Sequence, residues 1–132
     1  MESLSFSIRQ LTKEFGVTAR TLRFYEDEKL IAPGRRGQTR IYSQRDHKRI
    51  TMIVRGRRLG FSLAELGEML ALYEGEDNCA HKMAHARAKF IERLGALERH
   101  KHDIEDALKE LRQHISDIDA KMAACETTSE AA

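Results

Sequence analysis

The sequence predicts a mainly α-helical protein: a small basic domain of short helices with one β-hairpin, followed by a single long coiled-coil helix. Three observations carry that prediction. Charged residues make up 33% of the 132 residues and aromatics only 6%, with one proline and no tryptophan, a composition that favours helices over a β-sandwich. Between residues 9 and 58, 14 Lys and Arg stand against five Asp and Glu, a local excess of +9 on a chain of net charge +2. From residue 90 to 122, ten positions spaced alternately four and three apart are apolar in nine cases.

A chain of this length holds one domain, or a small domain plus one long element, and not a two-domain enzyme with a cleft between its halves. No run approaches the ~20 apolar residues of a membrane span, and no charged-then-apolar leader opens the chain. Cys79 and Cys125 are the only cysteines and make no disulfide framework, so a reducing, cytoplasmic setting is expected. The basic front end is the electrostatic footprint of a polyanion partner, with a plain solvated basic face as the alternative.

Each element has a local signature. Ser7-Ile8-Arg9-Gln10 is a capping box, Ile8, Leu11 and Phe15 follow on one helical face, and Gly16 ends the helix. Thr18 caps a second short helix that turns Leu22 and Tyr25 inward, so the pair reads as a helix-turn-helix. Pro33, Gly34 and Gly37 then punctuate two extended runs, Leu30–Ala32 and Thr39–Tyr42, which predicts a hairpin with Arg35 and Arg36 at its tip. A basic hairpin in that place is a wing. Ser43 restarts helix with Ile50, Ile53 and Val54 on its inner face, and Leu59-Gly60 closes it. Ser62 to Glu65 forms another capping box, opening a helix that carries Leu63, Leu66, Met69, Leu70 and Tyr73 and ends at Gly75.

The last helix carries Phe90, Leu94, Leu97, Lys101, Ile104, Leu108, Leu111, Ile115, Ile118 and Met122 along one seam, broken only by Lys101. A 3.5-residue seam with charged flanks is a coiled coil. Spanning about 80 to 122, the helix would be roughly 60 Å long, too long for the front domain to cover. A second copy is therefore expected on Leu94, Leu97, Ile104, Leu108, Leu111, Ile115 and Ile118. The expected boundaries are 5–75 for the front domain, 80–125 for the coiled coil and 126–132 for a frayed tail.

Three stretches, GVTARTLRFYEDEKL at 16–30, GRRGQTRIYS at 34–43 and RRLGFSLAELGEML at 57–70, strongly resemble the MerR family of bacterial transcription regulators. The resemblance implies a winged helix-turn-helix, a two-helix connector and a long antiparallel dimerisation helix. It also implies a homodimer on a pseudo-palindromic promoter that distorts double-stranded DNA so that RNA polymerase engages it. RRGQTRIYSQRD and RGRRLGFSLAE are similar to a branch that controls leucine, isovalerate or other branched-chain catabolism, which implies a small-metabolite effector. Thr39 stands where many members carry Tyr, so no contact assigned to that tyrosine transfers.

On this reading Thr18, Arg20 and Thr21 open the recognition helix towards the major groove, with Arg20 on a guanine or a phosphate. The resemblance puts Arg23 on the DNA backbone, and Arg40 and Tyr42, two apart on one strand, on phosphates. Tyr25 has two readings, a core aromatic or a hydroxyl on phosphate. Arg36, with Arg35, is an ordered DNA contact or part of a mobile basic loop. Arg55, Arg57 and Arg58 read as a solvated face.

Two alternatives remain open at this point. Metal-sensing relatives place cysteines at both ends of the dimerisation helix, so Cys79, His81, His85 and Cys125 are candidate soft-metal or thiol-sensing groups, although no metal or other cofactor is expected. A coiled-coil adaptor that does not bind DNA explains the seam but not the wing. Catalysis is not expected, because G-x-S-x-G, G-x-x-x-x-G-K-[ST] and H-E-x-x-H are all missing from the sequence.

Overall fold

The structure, a computed structural model, describes residues 4–74 and 80–131. Eight elements follow in order: β1 (Ser5–Phe6), α1 (Ile8–Phe15), α2 (Ala19–Asp27), β2 (Gly34–Arg36), β3 (Thr39–Ser43), α3 (Gln44–Arg58), α4 (Leu63–Tyr73) and α5 (Ala80–Ala131). They fall into two units, one running to Arg87 and one holding the rest of α5.

Side-chain caps start α1 to α4 where the sequence places them. Ser7, Thr18, Ser43 and Ser62 each accept a hydrogen bond from the backbone N–H three residues on, which satisfies a donor the helix leaves unpaired. Gly16 closes α1 in the left-handed region at φ +66°, where a side chain would be strained.

The wing departs from expectation in two ways. Leu30–Ala32 is not a strand. Leu30 N–H donates to the Tyr25 carbonyl at 2.9 Å, closing the end of α2, and Ala32 N–H donates to Asp46 Oδ1 at 3.1 Å. Those backbone groups are spent on helix ends, so pairing starts only at Gly34. Arg36 faces Thr39, Arg35 faces Arg40 and Gly34 faces Ile41, which leaves Gly37-Gln38 as the turn, with Gly37 at φ +65°. Arg35 and Arg36 therefore lie in a strand and not at the tip.

The sheet is antiparallel in the order β1-β3-β2, and β1 is an element the sequence does not announce. Ser5 pairs with Ser43 and Phe6 with Tyr42, a bridge of two residues too short to show a period. His47 on α3 fastens this edge. Its ring stacks on Phe6 with centroids 4.6 Å apart, and its Nε2 lies 2.8 Å from Glu14 Oε1 of α1.

One core joins these elements. Leu11 of α1, Leu22 and Tyr25 of α2, and Ile50 and Ile53 of α3 are buried together with Tyr42 of β3. Asp46 is buried among them at 4% exposure, with its carboxylate accepting from Ser43 N–H at 3.0 Å as well as from Ala32. A buried carboxylate needs such donors, and here they fix where the wing leaves and where α3 begins. Leu66 of α4 seats against Gly56 of α3, where a Cβ would lie 2.3 Å from Leu66 Cδ2.

The expected end of α4 at Gly75 lies outside the described residues. α5 is helical to Ala131, past the expected boundary at Cys125. Neither Gly nor Pro interrupts residues 123–131, and Thr127 Oγ1 donates back to the Ala123 carbonyl at 2.9 Å. Among the described residues, no helix is long and apolar enough to cross a membrane.

Candidate nucleic-acid interface

The start of α2 is built by its own hydroxyls. Thr18 Oγ1 accepts from Thr21 N–H at 3.1 Å and lies 2.9 Å from Thr21 Oγ1, so the two threonines hold each other at the first turn. Leu22 and Tyr25 point into the core, which turns Arg20 and Arg23 outward, both exposed. Neither makes an ion pair among the described residues. Two guanidiniums three residues apart, without an ion pair among the described residues, beside a mutually bonded hydroxyl pair can grip phosphate or the edge of a guanine.

Sequence reasoning missed Phe24, which is 46% exposed on this same helix. The signal was available: once Leu22 and Tyr25 face inward, a helical period leaves Phe24 outside. It adds an apolar ring to the basic face.

The wing lies against α2 through a carboxylate. Glu26 Oε2 is 3.3 Å from Arg40 Nε, and Glu26 Oε1 is 3.8 Å from Arg35 Nη2. Arg40 and Tyr42 do share a strand face, as their spacing implies, but that face is turned inward. Tyr42 is fully buried and its hydroxyl has no hydrogen-bond partner among the described residues. The expectation that Tyr42 contacts phosphate is corrected accordingly, because β3 is the central strand and its inner face forms core. Burial pushes the Tyr42 hydroxyl above its ordinary pKa, with the charge of Arg40 pulling the other way. Tyr25, 6% exposed, takes the core reading, and burial raises its hydroxyl against the charge of Arg57. Arg35 and Arg36 are exposed on β2.

On α5 the seam is open in a single chain: Leu94, Leu97, Ile104, Leu108, Leu111, Ile115 and Ile118, with Phe90 and Met122, are each 38% to 59% exposed. His81 and His85 are exposed in the first two turns and Cys125 is exposed near the far end. Cys79 lies outside the described residues. Among those described, no three His, Cys, Asp or Glu side chains group as metal ligands.

Residues 6–72 match the family model described as MerR HTH family regulatory protein, about half of the chain. The chain belongs to the MerR family. A second model, MerR, DNA binding, matches residues 47–113. The HTH-type transcriptional regulator CueR of Salmonella typhi is 31% identical over 96 residues, covering 71% of this chain and 67% of that protein. A MerR family transcriptional regulator of Listeria monocytogenes superposes with a TM-score of 0.66 at 26% identity, covering 96% of this chain and 99% of that one. One from Bacillus cereus, at 22% identity, shares the fold with a TM-score of 0.67 over 83% of this chain and 79% of that one. As a MerR protein the chain is a DNA-binding transcription regulator and not an enzyme.

Proposed function

We propose that two copies of this MerR protein bind a pseudo-palindromic promoter and regulate it by distorting the DNA, so that RNA polymerase engages its two elements. The observation that carries the reading is the pairing of a basic helix, whose Arg20 and Arg23 have no ion pair among the described residues, and a basic wing with an open apolar seam on α5. A lone chain leaves that seam in water, and a second copy removes it. Two domains fixed on one rod then set the distance between half-sites, which suits regulation through DNA shape. The effector is a small metabolite of branched-chain or acyl-CoA catabolism, a reading supported by the resemblance of residues 35–46 and 55–65. The setting is the cytoplasm, with no membrane partner.

The test is duplex binding with the sequence recovered from a random pool. Two chains should bind each duplex, and affinity should fall by about 10³-fold or more between about 50 and about 200 mM salt, as neutralised phosphates release counterions. A flat salt response, or one chain per duplex, overturns the reading.

A further inference from the structure

The first half of α3 and the last turn of α4 border an open groove of about 800 Å³, at the end of the pair away from the turn that joins them. Arg45, Lys48, Arg49 and Met52 occur at spacings of three, four and seven, so one face of α3 presents all of them to it. Opposite stand Ala71 and Glu74 of α4.

Among the described residues, the charge in this groove does not balance. Glu74 Oε2 accepts from Arg45 Nη2 at 2.7 Å and also from Arg49 Nη1, so one carboxylate oxygen serves two guanidiniums. Arg49 is held further by its Nε, which donates to the Leu30 carbonyl, and its side chain is only 12% exposed. Arg45 is 70% exposed, and Lys48, also exposed, has no hydrogen bond or ion pair among the described residues. Among the described residues, three cations thus line the groove with one carboxylate, beside an apolar floor in which Met52 is 40% exposed. Burial pushes the Glu74 carboxyl up, but the hydrogen bonds and charges of Arg45 and Arg49 together hold it below its ordinary pKa. It is therefore a charged competitor for any anion that enters.

From this geometry we infer that the groove is the effector site and takes an amphiphilic anion, a carboxylate or phosphate on a short apolar body. Arg45 and Lys48 hold the anion, Met52 and Ala71 the apolar part, and Arg49 keeps its structural place. The anion draws Arg45 from Glu74, the residue that caps α4 directly ahead of the connection to α5. The cavity is within the ~300–1,000 Å³ of ordinary ligand sites. This inference rests on the reading of the chain as an effector-controlled regulator.

The test follows the Met52 methyl by NMR in the full chain while butyrate, butyl phosphate or butanol is added at constant ionic strength. The two anions separate a carboxylate from a phosphate head on the same alkyl body, and butanol removes the charge. At least one anion should shift Met52 saturably, and butanol should not. Lys48→Ala should weaken that anion about tenfold by removing a charge-assisted contact. Glu74→Gln should tighten it several-fold by removing the competitor. Lys48 is exposed and makes no hydrogen bond or ion pair among the described residues, so its variant reads binding even if Glu74→Gln fails to fold. No saturable shift, an equal shift with butanol, weaker binding in a folded Glu74→Gln variant, or displacement of the anion by duplex DNA each overturns the inference. DNA binding measured on the same sample separates its failure from failure of the regulator reading.

Discussion

Glu26 shows how one side chain ties α2 to the wing. Its carboxylate engages Arg40 at 3.3 Å and approaches Arg35 at 3.8 Å, linking the two elements proposed to meet DNA. Arg40 has its Nε committed to that carboxylate and offers only its remaining N–H groups to a phosphate. Arg20 has no carboxylate partner among the described residues and can use its full fork. The two should therefore fail differently. Arg20→Ala should cost about 1–3 kcal/mol on the pool-selected duplex and relax sequence preference, whereas Arg40→Ala should weaken selected and random duplexes alike. Binding titrations against both duplexes decide it. Equal loss in both would make Arg20 a phosphate clamp and not a base reader.

At the scale of elements, the short helices owe their limits to local chemistry and their packing to a few close approaches. The capping boxes at Ser7, Ser43 and Ser62 close on partners three residues away, so their geometry is written in the sequence. The α3–α4 contact is different in kind. Gly56 is buried in the last turn of α3, where Ala would be favoured by up to about 1 kcal/mol on propensity alone. A Cβ there would stand 2.3 Å from Leu66 Cδ2 and 3.3 Å from Leu66 Cγ, and Leu66 is only 4% exposed, so its whole end group would have to turn within the core. Overpacking costs roughly 1–3 kcal/mol and outweighs the propensity gain. Gly56→Ala should lower the thermal midpoint. Leu66→Ala in the same chain should relieve part of the loss, so the double-mutant cycle should show less than the summed cost. A higher midpoint for Gly56→Ala alone would show that Leu66 turns freely.

For the whole molecule the deciding feature is the uncovered seam. Leu108 lies mid-seam at 43% exposure, with Ile104 and Leu111 beside it on the same line. If two chains meet there, Leu108→Lys places like charges at the centre of an apolar contact and should yield monomers at micromolar concentration. Duplex affinity should fall with it, since half-sites would then be bound singly. Light scattering reads the mass directly, and a monomeric unmodified chain would remove the dimer from the proposal.

The sequence alone determined what depends on neighbours a few residues apart. Caps, glycine stops and the seam of α5 are local patterns, and each capping box occupies the positions its residue types require. Charge density pointed to DNA for the same reason, since it needs only counting. Tertiary structure decided what depends on distant partners. Tyr42 belongs to the core because β1, 36 residues earlier, makes β3 a central strand. Glu26 and Arg40 are 14 apart and Arg49 and Glu74 are 25 apart, so neither pair leaves a periodic trace. An ion pair across elements is specified by folding geometry and not by spacing, and the wing clamp and the charged groove become visible only once the chain has closed around its core.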